Sequence, residues 1–357
     1  MLDSQFDIAI VGAGMAGLSC AQSLQQAGYK VVVIDKSRGL GGRMATRRLQ
    51  RTHADHGVCY LKPKSPQFQE LLNQLVDRKV IRVWTDTIHK LDEQGKVQSP
   101  QRQAPCYAAT NGITAIAKFL SIGLTLRLNH RVERIEARDG WQLHCEAGEV
   151  ISANAIVIAI PAPQAAIVCE SIDQDFVEQL KAIEYSPCIS AIAVYPIERQ
   201  AEVEKLGWKA IICPSDPDLG WIGIDSTKQL NPVQPAIVIQ SNAHFATQYL
   251  DDPDLQQVGE RLLHRAAELT EQWFTSAEVL QVQRWRYAFP TNPISDKYLA
   301  ANTVHPLVCT GDWCGGNRVE SAFQAGLEAA KYLNQRLSER EARCKHRILP
   351  DQFWVQI

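Results

Sequence analysis

The chain has 357 residues, 45% of them hydrophobic, enough for two domains with substantial cores. Its 37 basic and 39 acidic side chains leave a net charge of −2, so no global basic field points to nucleic acid. No apolar run reaches the ~18 residues of a membrane span, and the first strand begins too early for a signal peptide. Ten scattered cysteines without CxxC pairs read as reduced thiols of a cytoplasmic protein, not as a disulfide framework or a metal site.

The densest pattern lies between Phe6 and Arg43. The continuous apolar run from Ile8 to Val11 predicts a strand buried on both faces. Gly12, Gly14 and Gly17 follow at GxGxxG spacing. Gly12 permits the tight turn, Gly14 lets the backbone approach a pyrophosphate, and Gly17 lets the next helix lie close to the sheet. That helix starts with free N–H groups aimed at phosphates, so Ala13, Met15 and Ala16 join the expected cofactor contacts. It runs through Leu18, Ala21 and Leu24 to a C-cap at Gly28. A second strand, 30 to 34, ends in Asp35, placed to accept hydrogen bonds from ribose hydroxyls, with Lys36 beside it. Strand, turn, helix, strand and acid in this order predict dinucleotide binding, which a lone GxGxxG would not. An NAD domain would continue with another helix and strand. Here Gly41, Gly42 and Arg43 follow instead, offering close backbone approach and a cation for phosphate, which favours an extended FAD.

Further along, Asp55, His56 and Gly57 predict a turn into a short strand, able to bring backbone N–H groups to a flavin edge. His56 reads either as a hydrogen-bonded turn histidine or as a group with a chemical role. A helix is predicted from Phe68 to about Arg78, then a β excursion over 80 to 105 with turn signals at Gly95 and Pro100. Asn111-Gly112 precedes another helix. Strands at 124–128, 131–135 and 141–145 follow, the last two joined across Asp139-Gly140. The apolar strand 155–160 ends at Pro161 and Pro163. Residues 164 to 298 mix strands (190–195, 236–240) with helices (176–182, 255–273) and hold Trp208, Trp221, Trp273 and Trp285. Such aromatics suit the wall of a flat substrate's pocket, or the core. The segment 284–290 is placed to return the chain to the cofactor.

Residues 307 to 326 carry the second strong motif. A short apolar strand ends at Gly311-Asp312, and a glycine loop opens into a helix with Val319, Ala322, Phe323, Gly326 and Leu327 on one face. Asp312 can accept from sugar or ribityl hydroxyls, and the helix N-terminus suits the negative charge of a reduced flavin. Cys309 and Cys314 beside it read as small buried residues. Past Glu339 the chain turns polar and basic through Arg347 and ends in an apolar segment, 353–357, expected to dock.

These motifs together resemble the flavin-containing amine-oxidase superfamily and, within it, the renalase family. The residues that carry the likeness are 35–48, 55–60, 157–164, 284–290 and 311–322. The resemblance implies an α/β fold: a Rossmann-type, p-hydroxybenzoate-hydroxylase-like FAD domain (1–75, 108–163 and 299–340) and an inserted substrate domain of mixed β-sheet and helices (76–107 and 164–298). Residues 341–357 would form a tail. It implies noncovalent FAD touched by Gly12, Gly14, Gly17, Asp35, Arg43, Gly57, Val132, Asp312 and Val319. Gly42, Lys36 and His56 complete the expected cofactor set. It also implies oxidation of misreduced dihydronicotinamide nucleotides, with O2 as acceptor and hydrogen peroxide as product. Trp285 and Tyr287 would wall the substrate pocket, and Arg286 would hold a phosphate or carboxylate. Where the resemblance leads one to expect a substrate-side histidine, this chain has Gln240. The alternatives are an amine oxidase or desaturase of the same superfamily, or a flavin-binding protein without turnover. The lack of an amphipathic basic segment weighs against the desaturase.

Overall fold

The structure is a computed structural model that describes residues 6–99 and 103–340, together with Leu349, Phe353 and Val355. Two large sheets carry the architecture. The first has the order Val132–Ala137, Trp141–Cys145, Val150–Ile158, Phe6–Val11, Val31–Asp35, Thr125–Leu128. Its centre is parallel, with Ile8 facing Ala155 on one side and Val31 on the other. Ile8, Ala9 and Ile10 are fully buried, as a strand covered on both faces requires. Strand Val150–Ile158 is longer than predicted because one edge serves two partners. Residues 150–153 pair with Trp141–Cys145, and 156–158 pair with Leu307–Cys309, which brings the C-terminal motif beside the N-terminal one.

Helix Met15–Gln26 packs against the long C-terminal helix Val319–Arg340. The contact is backbone-close: a Cβ on Gly326 would stand 2.2 Å from the Ala16 carbonyl oxygen. A Cβ on Gly17 would stand 1.9 Å from the Gly12 carbonyl oxygen, so Gly17 lets the helix fold back onto its own turn. Helix Pro66–Asp77 starts two residues earlier than predicted, because the Ser65 side chain accepts from the Phe68 N–H and Pro66 fills the first turn.

The second sheet runs Val279–Pro290, Tyr185–Val194, Ala236–Ser241, Leu219–Ile224, Ala210–Ile212, His89–Leu91, Val97–Gln98. Helix Leu255–Leu269 covers one face with a core that includes Ile189, Ile239, Leu262 and Phe274. The other face meets the small hairpin Thr46–Arg48/His53–Asp55, with Ala54 against Ile192 and Val238. The helix expected to reach Trp273 stops at Leu269; Gln272–Ser276 forms a separate turn that packs Trp273 and Phe274 on Tyr195. Helix Ala162–Val168, which straddles the expected boundary at 163/164, and helix Gln174–Lys181, expected in the second unit, bury Ala165, Phe176 and Leu180 in the core of the first sheet. Strand Arg82–Thr85 pairs with Cys106–Ala108 apart from both sheets.

The turn expected at Pro100 and the basic run through Arg347 lie outside the described residues. Of the apolar tail, Phe353 and Val355 are described. Phe353 sets its ring 5.2 Å from Phe323 and its carbonyl accepts from Gln74, and Val355 is buried.

Candidate functional site

A cavity of about 950 Å³ opens where the C-terminal ends of the first sheet's parallel strands meet strand Val279–Pro290 of the second. It lies at the upper end of the ~300–1,000 Å³ usual for ligand sites, and ligands of open α/β sheets sit at this end of the strands. Two helix N-termini reach it, through Gly14, Met15 and Ala16 of one helix and Asn317, Arg318 and Val319 ahead of the other. Both present unpaired N–H groups and positive dipole ends to one space. Gly12 holds the turn at φ +110°, and a Cβ there would meet the Ala159 carbonyl oxygen at 2.5 Å. A Cβ on Gly14 would meet nothing within 4 Å, which leaves its face open to a ligand.

Of the sequence-expected cofactor residues, Gly12, Gly14, Met15, Ala16, Asp35, Lys36, Gly42, Arg43, Val132, Asp312 and Val319 line the cavity. Ala13, Gly17, His56 and Gly57 do not. Ala13 is fully buried and donates its N–H to Asp35 Oδ2 at 2.7 Å. Gly17 faces its own turn. A Cβ on Gly57 would stand 2.0 Å from the Arg43 carbonyl oxygen, and the His56 ring stacks behind Trp285 at 5.3 Å. These two residues form the layer behind the wall. The strand predicted after them precedes them, as His53–Asp55.

Two charged residues hold partners the sequence did not foresee. The carboxylate of Asp35 also accepts from the Ser37 N–H at 2.7 Å, so it shapes the loop as well as facing the cavity. The guanidinium of Arg43 forms a two-pronged bond to Asp312, 2.7 Å on each side, and donates to the Ala288 carbonyl at 2.9 Å. Asp312 is nearly buried, and this fork is its compensation. Arg43 thereby joins the N-terminal loop, the C-terminal motif and the second sheet at one point.

Residues 283–289 contribute a continuous stretch of wall. Opposite them stands Pro187, which has no N–H for the ladder. The pairing jumps from Ser186↔Phe289 to Cys188↔Trp285, leaving Arg286, Tyr287 and Ala288 in a bulge. The bulge accounts for the re-aimed side chains. Tyr287 meets Tyr185 edge-on at 5.6 Å, and Arg286 pairs with Asp251. Of the four tryptophans weighed above, Trp285 alone lines the cavity among the described residues. Trp273 and Trp208 pack against the second core, both meeting Phe274 edge-on, and Trp221 stacks on Tyr60 at 5.4 Å.

Burial, reinforced by the nearby Arg47, lowers the His56 imidazole to about 4, against the weaker pull of Asp55. Its ring is neutral near pH 7, and its Nδ1 is buried without a hydrogen-bond partner. Asp55 sits in a group no sequence signal announced. Lys228 reaches both Asp55 Oδ2 (3.3 Å) and Asp225, with all three side chains at most 3% exposed. Asp55 also accepts from Thr46 Oγ1 and the Ile113 N–H, and its own N–H donates to Asp225. Burial raises Asp225 despite the opposing lysine; for Lys228 burial works downward, and Asp225 and Asp55 overcome it and raise it. Cys309 and Cys314 are buried, and desolvation raises both thiols, consistent with packing residues.

The glycine cradle, the paired helix N-termini and the volume of the cavity suit FAD, and Gly14, Gly42 and Val319 of its lining are among the residues expected to hold it. Residues 10–75 match the model of an NAD(P)-binding Rossmann-like domain, and residues 97–334 that of flavin containing amine oxidoreductase. Among curated proteins, an L-amino acid oxidase of Crotalus durissus cumanensis is 40% identical over 67 residues, 19% of this chain and 14% of that one. The match thus spans about a seventh of that relative's length. Among solved structures, putrescine oxidase bound to putrescine superposes with a TM-score of 0.71 at 13% identity, over 93% of this chain and 100% of that one. Cyclohexylamine oxidase from Brevibacterium oxydans IH-35A gives 0.71 at 14%, over 94% and 100%. Likeness at that level of identity speaks for the fold, and the family description names the flavin. Because one family model covers well over half of its length, the chain belongs to the flavin-containing amine oxidoreductases, with FAD as cofactor.

Proposed function

We propose that this protein is a renalase-like oxidase that converts misreduced dihydronicotinamide nucleotides to the oxidised form. FAD, held noncovalently, would accept the hydride and pass the electrons to O2, giving hydrogen peroxide. The observation that carries this reading is the charge of the aromatic wall. Arg284, Arg286 and Arg318 line it, and one exposed carboxylate, Asp251, serves both Arg284 and Arg286. Arg318 has no ion pair among the described residues. A protonated amine meets repulsion there, whereas an anionic nucleotide is attracted.

Hydride transfer demands orientation and exclusion of water more than an acid or base. Trp285 and Tyr287 supply flat surfaces for a dihydropyridine, and the arginines suit its phosphate. The cavity's acids sit elsewhere: Asp312 is held by Arg43, Asp35 caps the Ala13 turn, and Glu133 follows Val132 on the first sheet. Asp55 of the hairpin stays buried with Asp225 and Lys228. We place the protein in the cytoplasm. Supporting this, the nine described cysteines are all free thiols, and among the described residues no helix is long and apolar enough to cross a membrane.

Anaerobic mixing with 6-dihydro-NAD tests the substrate. The expected result is bleaching of the flavin band within one turnover, slowed when Arg318 becomes methionine. A flavin that stays oxidised with 6-dihydro-NAD yet bleaches with putrescine or an L-amino acid overturns the reading.

A further inference from the structure

One short turn holds both arginines of the cavity's aromatic wall. It joins helix Ala243–Tyr249 to helix Leu255–Leu269, and the Asp252 N–H closes it on the Tyr249 carbonyl at 3.2 Å. Two successive residues of the turn each take one arginine. The Leu250 carbonyl accepts from Arg284 Nη1 at 3.0 Å, and the Asp251 carboxylate accepts from both terminal nitrogens of Arg286. Leu250 is buried, whereas the Asp251 side chain is 73% exposed and that of Arg286 52%.

The two holds differ in kind. Arg284 stands opposite Ile189 in the strand ladder, and its side-chain bond goes to a neutral carbonyl, which leaves the charge uncancelled by that bond. Arg286 belongs to the bulge, where no residue of the facing strand is paired with it, and its bond goes to a full negative charge. In water, screening and the entropy of two long side chains leave such an exposed pair worth little. Arg286 is part of the cavity's lining and Asp251 is not, so an arginine of the site spends its charge on a carboxylate outside it. A phosphate monoester brings nearly two negative charges at pH 7 and three acceptor oxygens, against one charge and two oxygens on Asp251. The guanidinium fork takes either group in the same two-pronged way.

We propose that Asp251 is a specificity-determining residue that works by exchange: it holds Arg286 while the site is empty and yields it to the phosphate of an entering nucleotide. This rests on the nucleotide reading given above. A phosphate must displace the carboxylate, so Asp251 sets how much of the phosphate's attraction appears as affinity. A substrate without phosphate leaves the pair intact and gains nothing from Arg286. The acidic side chain thereby acts through Arg286 and not on the reacting carbon.

The experiment mixes FAD-loaded protein anaerobically with rising concentrations of two compounds, the 6-dihydro forms of nicotinamide mononucleotide and of nicotinamide riboside. They differ by one phosphate. Saturation of the bleaching rate gives each dissociation constant apart from the limiting rate. The quantity compared is the riboside's constant divided by the mononucleotide's, expected at about ten in wild type. Asp251→Asn keeps the shape and removes the rival charge, so the ratio should rise about threefold, and less at high salt. Arg286→Gln should lower the ratio about fivefold, and in that background Asp251→Asn should move it by less than about 1.5-fold. A ratio that Asp251→Asn leaves alone or lowers, or raises equally without Arg286, overturns the exchange. If neither compound bleaches the flavin, the nucleotide reading itself falls and the exchange falls with it.

Discussion

Acidification should destabilise this protein by an amount traceable to one ring. The His56 imidazole is 6% exposed and is held at about 4 by burial and by Arg47, against 6.5 for an unconstrained histidine. A group whose folded value is depressed contributes stability above its unfolded value and loses it as pH falls toward the folded one. Between pH 6.5 and about 4 the unfolded chain binds about one proton more at this site. Stability then falls by about 1.4 kcal/mol per pH unit, or about 2 kcal/mol from pH 7 to pH 5. The assay is denaturant unfolding at saturating FAD across that range, for wild type and His56→Gln. The glutamine variant loses the stack on Trp285 and starts lower, but its curve should run flatter toward acid, the two converging by about 2 kcal/mol. Parallel curves would refute the reasoning, since they would mean that His56 gains its proton as easily folded as unfolded.

Lys228→Met should cost about 3–5 kcal/mol, because it strands two buried carboxylates that share one cation. Adding Asp225→Asn should recover part of that loss, and chemical denaturation of the single and double variants measures both. Gly326→Val should cost about 1–3 kcal/mol, since its Cβ would press on the Ala16 carbonyl and Ser19 across the helix pair. Gly14→Ala provides the contrast: nothing within 4 Å opposes its Cβ and its φ of −84° suits any residue. The apoprotein's melting temperature should stay put while FAD affinity falls, as fluorescence titration of the released flavin would show.

What the sequence disclosed, and what it hid, follows from the range of the interactions. The strand–turn–helix from Ile8 to Leu24 was legible because its rules are local: an apolar run, a positive-φ glycine, a helix start. The hairpin across Asp139-Gly140 and the helix after Ser65 obeyed similar short-range chemistry. The predicted proximity of the two ends held because Leu307–Cys309 pairs beside the N-terminal strand's neighbour. The charged partners were not legible. Arg43 and Asp312 are 269 residues apart, and each alone looked like a ligand contact; only the fold shows them spending their strongest bonds on each other. Lys228 carried no signal at all, since a lysine in a polar run reads as a solvated turn. Its burial depends on Asp55, 173 residues away. The bulge that aims Arg286 and Tyr287 depends on Pro187 in the facing strand, so no reading of 284–290 by itself could find it.

The same distances explain how a two-sheet protein keeps one site. Arg43 bonds Asp312 and the Ala288 carbonyl, so the first glycine loop, the C-terminal motif and the second sheet share a single guanidinium. Gln240 and Trp285 hold the next segment back, at His56 and Gly57, and Asp225 with Lys228 holds Asp55. The second sheet and its neighbouring turn are thus fastened to this segment through many polar links, at Arg43, Asp55, His56 and Gly57 among others, beside a small shared apolar core. Polar fastenings of this kind demand exact partners and tolerate little slippage, because each one left unmade strands a buried donor or acceptor at about 1–3 kcal/mol. Apolar contact alone would let the sheets slide. On the proposed function, a wall that holds a flat ring at hydride-transfer distance cannot slide, which gives a physical reason for the contact between the sheets to be polar where it meets the cavity.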